Sequence, residues 1–252
     1  MSQLLDPCSD ALPPEDSPTI EDALQAFLKT PFLFGAKVKA VERETAIELL
    51  ASYVYYHGHK SLPPAGCRQL DQSFQKTTTA QLGFHQVFGP EKLPHLLPGF
   101  LTFLTYEIMP VASQKFVQST AWTIEELFLW LIRAGHIGAE EGEEAAYRSS
   151  EAARNLPRAM RALKRLVTEA QVNSAEEIRW TTEGQSERYT IVRLASNMLW
   201  LQNPDGESAG PIKINEKIKR DLEIGWEMRG ILVKLHGTWK IVGLGGIFPG
   251  PG

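Results

Sequence analysis

Arg158, Arg161 and Arg165 recur at intervals of three and four residues. On an α-helix with 3.6 residues per turn they fall within about 60° of one another, while Met160, Leu163 and Val167 take the other side. Three guanidinium groups in a row can donate to successive phosphates, which makes this stripe the candidate nucleic-acid-binding surface. An amphipathic helix also needs a charged face for solvent or for ion pairs within the chain. Glu140, Glu141, Glu143 and Glu144 on the preceding stretch are available partners.

Other spacings point to chemistry and are answered by their context. Gly206-Glu207-Ser208-Ala209-Gly210 fits the nucleophile-elbow pattern, with Asp221 and His236 following in hydrolase order. That elbow needs a strand, a sharp turn and a helix, whereas here Pro211 and an alternating run follow, so the segment reads as an exposed turn. His57 and His59 flank Gly58, with Cys67, His85 and His95 downstream, but neither C-x2-C nor H-x3-H spacing occurs. No metal is expected. Gly243-Leu244-Gly245-Gly246 lacks the third glycine of a dinucleotide loop and precedes no helix, so it reads as a strand terminus. With no phosphate loop and no H-E-x-x-H, no cofactor is expected, and no catalytic residue is assigned.

Composition narrows the classes. The chain has 252 residues, of which 43% are hydrophobic, enough to fill real cores. Thirty acidic against 26 basic residues leave a net charge of -4, so there is no global basic field to hold nucleic acid or an anionic membrane. Cys8 and Cys67 are the only cysteines, which argues against a disulfide framework and for a reducing cytoplasm. The first ten residues lack the basic and apolar regions of a signal peptide. The longest apolar stretch, 93–109, is broken by Pro94, Pro98 and Glu107, reads as a buried helix, and no membrane span is expected.

The elements follow from hydrophobic period. Residues 1–16 form an acidic, Pro-containing tail. Ser17-Pro18 starts a helix whose stripe is Ile20, Ala23, Leu24, Phe27 and Leu28, stopped by Pro31. A second helix runs over 41–56, with Ile47, Leu50, Ala51, Val54 and Tyr55 in phase and Gly58 as its stop. Residues 60–98 read as short helices and loops, and Pro98 opens a helix that Pro110 ends. The segment ending at Arg133 carries Ile124, Leu127, Phe128, Leu131 and Ile132 on one face; it starts either at Thr123, which has capping-box spacing with Glu126, or at about Ser113. Helices over 140–150 and from Pro157 to about 170 follow.

Near residue 175 the period changes to alternation. Runs at 188–194, 197–202, 211–214, 228–235 and 239–244 predict five short strands, with a polar helical turn at 215–222. Loop parity in the last hairpin predicts an odd turn, His236-Gly237-Thr238. That register sets Leu235 beside Trp239 and Val233 beside Ile241, and leaves Lys234 and Lys240 together on the barrel surface. Trp180, Trp200, Trp226 and Trp239 gather in this region and could form a stacking platform, or fill the core.

The stretch from Ser113 to Ile137 resembles the core-binding helices of tyrosine recombinases, but that family's His-x-x-Arg pair occurs nowhere in the chain, which removes strand cleavage. The sequence therefore predicts an α+β protein with an α-helical domain at 17–172, a linker at 173–185 and a small SH3-like or OB-like β-barrel at 186–249. The leading expectation is a non-enzymatic, cytoplasmic binding or adaptor protein whose barrel contacts a protein partner. Nucleic-acid binding through Arg158, Arg161 and Arg165 is the first alternative; an enzyme with an unrecognised site is the second.

Overall fold

The computed structural model describes residues 18–31, 38–61, 83–174 and 187–250. The acidic tail, Cys8, Cys67, Trp180 and most of the expected linker lie outside the described residues. The chain is α+β, with helices first and a five-stranded antiparallel sheet in the C-terminal part. It divides into two compact units, Met1–Phe103 with Ser119–Ser150, and Leu104–Gln118 with Glu151–Gly252. No helix among the described residues is long and apolar enough to cross a membrane.

In the first unit α1 (Ile20–Leu28) begins two residues later than Ser17-Pro18 suggests, because Thr19 caps it in a reciprocal box with Asp22. Its buried stripe, Ile20, Ala23, Leu24 and Phe27, meets Ile47, Leu50 and Val54 of α2 (Ala40–His57) in one core. A short α3 (Phe84–Val87), α4 (Leu93–Phe103) and the Ser119–Arg133 part of α5 (Gln114–Arg133) complete it, with Leu127 and Leu131 fully buried. Pro98 lies inside α4 instead of opening it.

A buried cation closes the end of α1. Arg43 is 3% exposed, donates to Thr30 O at 2.8 Å and Phe27 O at 3.0 Å, and lies 3.9 Å from the Phe27 ring centroid. Terminal carbonyls of a helix need donors, and a cation there complements the helix dipole. Burial lowers the Arg43 pKa, and the Glu126 carboxylate on α5 opposes that shift.

In α5 the longer alternative holds: Ser113 is the capping residue, its Oγ accepting from Phe116 N at 3.1 Å. Thr123 lies mid-helix, and its hydroxyl donates back to Ser119 O at 2.8 Å.

The two helices expected over 140–170 are one, α6 (Ala139–Ser174), with Pro157 inside. An internal proline strips the residue four positions earlier of its hydrogen bond and normally breaks a helix. Here that residue is Ala153, and its carbonyl accepts instead from Gln118 Nε2 at 3.2 Å. The helix continues because a side chain from elsewhere in the same unit replaces the missing donor.

All five expected strands form: β1 (Glu187–Ala195), β2 (Met198–Gln202), β3 (Ser208–Lys213), β4 (Glu227–Leu235) and β5 (Thr238–Phe248), in the order β3-β2-β1-β4-β5. No ladder joins β3 to β5, so the barrel is not closed. Pro211 sits in edge strand β3, where a missing backbone donor is tolerated. Ala159, Ala162 and Leu166 of α6 pack with Ile191, Leu199, Leu201 and Met228 of the sheet. Ile218 and Leu222 join them from α7 (Glu216–Asp221) and its C-cap.

The last hairpin corrects the expected register. The loop is two residues, His236 and Gly237, with φ of 48° and 82°. Both central residues are left-handed, as a type I′ turn requires. Leu235 pairs with Thr238, Lys234 with Trp239, Val233 with Lys240 and Leu232 with Ile241. Lys234 and Lys240 thus lie on opposite faces of the hairpin. What the parity argument missed is a pair of bulges in β5, at Val242 and at Gly245. They bring Ile241, Leu244 and Ile247, spaced by three, onto one face opposite Leu232, Gly230 and Met228.

Candidate functional site

The arginine stripe is real, and its side chains are engaged within the second unit. Arg161 donates through Nε and Nη2 to Asp221 Oδ1 at 3.1 and 3.0 Å, and Arg165 Nη1 donates to Asp221 Oδ2 in a short contact. Arg165 also reaches Lys217 O at 3.0 Å, and Arg158 pairs with Glu223 at 2.9 Å while approaching Arg220 O. One turn further along α6, Glu169 accepts from Asn215 Nδ2, whose Oδ1 caps α7 by accepting from Ile218 N at 2.9 Å. Residues 158, 161, 165 and 169 form one stripe of α6, so the row that could follow a phosphate backbone instead holds a six-residue helix at its start, middle and end.

Sequence reasoning looked for the partners of these arginines among the nearby glutamates Glu140 to Glu144. The structure supplies Asp221 and Glu223, some sixty residues away. Beside the stripe is a depression of about 390 Å³ lined by Arg161, Lys164, Arg165 and Asn215. Exposed Lys164 makes no side-chain hydrogen bond or ion pair among the described residues.

The tryptophans are not a bare platform. Arg193 lies 4.6 Å from the Trp200 centroid, Arg158 5.1 Å from Trp226, and Lys234 5.9 Å from Trp239. Each ring face meets a cation from its own unit, an arrangement that stabilises by cation–π attraction. Ser208 and Ala209 lie in β3 with Gly206 in the preceding turn, far from strand-turn-helix geometry. Among the described residues no three His, Cys, Asp or Glu side chains come together as metal ligands.

A second pocket, of about 310 Å³, is built from residues that sequence reasoning did not single out. Tyr106 comes from a π-helical turn, Leu104–Ile108, in which Met109 N bonds Leu104 O at 2.9 Å. Such a widened turn pushes side chains out of helical phase and is frequent at functional sites. The Tyr106 ring stacks on Phe248 at 4.1 Å and 17°. Phe248 in turn covers Gly246, where an added Cβ would come within 2.3 Å of its ring, so only glycine leaves room for the stack. Met109 and Leu163 add apolar wall.

Arg229 is the cation at this rim. It pairs across the ladder with Gly246, and its stem runs beside Gly245, 3.8 Å from where a Cβ would stand. The bulge at Gly245 sits here, at the edge of the sheet, where bulges commonly re-aim side chains toward sites. Arg229 is exposed and makes no side-chain hydrogen bond or ion pair among the described residues. The combination is an aromatic and aliphatic pocket with one cation and bare glycine backbone, which can hold an apolar side chain and orient the chain that carries it.

Comparison with protein-family profiles, with characterised proteins and with solved structures returns no match. The class therefore rests on fold and site alone: an α+β protein whose sheet-bearing unit carries an apolar pocket at a strand edge.

Proposed function

We propose that this chain is a non-enzymatic, cytoplasmic binding or adaptor protein, and that its sheet-bearing unit acts as a small interaction module of the SH3-like or OB-like kind for a protein partner. The observation that carries this reading is the pocket of Tyr106, Phe248 and Met109 beside the bulged, glycine-rich end of β5. Edge strands accept extended segments, and pockets beside them select side chains. The test is a photo-crosslinking residue in place of exposed Pro110 at the pocket, with Pro204 in the distant β2–β3 turn as control, in cells that make the protein. A protein adduct of defined mass at position 110 and not at 204, lost in Tyr106→Ala, supports the reading. Equal labelling at both positions, or none, removes it.

Nucleic-acid binding is the second reading, favoured by the depression that Arg161, Lys164 and Arg165 line. Retention on heparin that weakens steeply with salt and disappears in Lys164→Glu would favour it over the first.

A further inference from the structure

The pocket has a charge preference as well as a shape. We infer that it takes a protein segment in which a large apolar side chain stands next to a carboxylate, the apolar group entering between Met109 and the Tyr106–Phe248 stack and the carboxylate meeting Arg229; the inference rests on the binding role proposed above. Two independent features lead there. The first is the contrast between the pocket's apolar wall and its single cation. Arg229 stays exposed with its stem laid along Gly245, although Glu227 lies two residues away on the same strand and pairs with Arg188 at 3.6 Å. A guanidinium fork held at the rim of an apolar pocket is suited to a carboxylate, which it can meet with two parallel donors. The second is the backbone. Gly245 is exposed and bulged, so an approaching main chain meets no Cβ where the partner's carboxylate would have to cross the strand.

The chemistry that fits is therefore acidic and apolar in adjacent positions, as in an aspartate or glutamate beside Leu, Met or Phe, or a chain ending in an apolar residue. A basic segment would place like charges together at Arg229, and a purely apolar one would leave the guanidinium without a partner.

The experiment is selection of a random dodecapeptide display library on the full chain and on Arg229→Glu and Tyr106→Ala variants. Arg229 is exposed, so its replacement leaves the fold in place, and circular dichroism of each variant confirms it. The expected result is enrichment of peptides with an apolar residue beside an acid on the native chain, and of apolar residues beside Lys or Arg on Arg229→Glu. A selected peptide should bind about fivefold more weakly once its acid is replaced by the amide, as for a solvent-exposed ion pair. Apolar enrichment with no charge preference, unchanged by Arg229→Glu, overturns the inference and leaves the pocket reading standing. Enrichment that survives Tyr106→Ala, or no enrichment, overturns both.

Discussion

Arginines occupy two different positions in the second unit. Along α6, Arg158, Arg161 and Arg165 are met by Asp221, Glu223 and the carbonyls of Lys217 and Arg220. Near the start of β4, Arg229 stands at the rim of a pocket walled by Met109, Leu163, Phe248 and glycine backbone, with Arg188 opposite it on β1. The residue type is the same and the local sequence is no guide to the difference. Three cations at helical spacing look more like a binding surface than one cation in a strand. Geometry reverses the order: the clustered cations are engaged in holding a short helix, and Arg229 faces an opening.

Removing the anion under the stripe should have the largest effect. Asp221 has a side chain only 10% exposed and accepts from two arginines. Asp221→Ala leaves both without it and should cost about 3 kcal/mol, the low end for a buried pair because the arginines are partly solvated. Urea denaturation checks this; a cost below about 0.5 kcal/mol would mean the stripe does not hold α7. Gly246→Ala should cost about 1–2 kcal/mol by forcing the Phe248 ring off Tyr106, and should shift their ring resonances in NMR spectra. Gln118→Ala, which leaves the Ala153 carbonyl above Pro157 without its side-chain donor, should cost about 1 kcal/mol.

Arg229→Gln sharpens the contrast from the other side, with an expected stability change within about 0.5 kcal/mol. A large loss would move Arg229 into the same structural class as Arg161.

One further effect is confined to alkaline pH. Burial, and then the hydrogen bond to Glu187, push the Tyr189 pKa up from its ordinary 10.0 to about 12. The fold favours the neutral phenol, so this contribution is fully present below pH 10 and is lost as pH rises through about 12. The chain has six tyrosines, so Tyr189 is read as the difference in phenolate absorbance between the native chain and Tyr189→Phe. Its ionisation near pH 10 would show that the side chain is solvated.

Much of the fold was legible because apolar period reports which side of an element is buried. Ile20, Ala23, Leu24 and Phe27 in α1, and Ile124, Leu127 and Leu131 in α5, are all in the first core. Boundaries failed where a distant group intervened. Pro157 reads as a helix start until Gln118 is known to serve Ala153, and nothing near either residue announces that pairing. The hairpin register failed because bulges at Val242 and Gly245 turn a spacing of three into a common face, which strict alternation cannot represent. The stripe at Arg158, Arg161 and Arg165 was visible as a pattern, with ion pairing inside the chain among its readings; the partner was not, since Asp221 lies far along the chain. The pocket had no local signal, because Tyr106, Arg229 and Phe248 come from three separated segments and meet only in the folded unit.

The left-handed turns also set an order in time. Ser196 and Asn197, at φ of 45° and 60°, join β1 to β2 as tightly as His236 and Gly237 join β4 to β5. Both hairpins close over two residues, and such pieces form within about 1–10 μs. The β1–β4 pairing, from Glu187↔Gly230 to Thr190↔Glu227, spans the intervening chain and must wait for a much larger loop to close. The expected course is two early hairpins and one late junction. Substitutions at Gly237 should then slow refolding, whereas those at the β1–β4 junction should mainly hasten unfolding. The sheet wall of the pocket, Arg229, Gly245, Gly246 and Phe248, lies within the early β4–β5 hairpin, so in a newly made chain a partner's site waits only for Tyr106, Met109 and Leu163 to close against that hairpin.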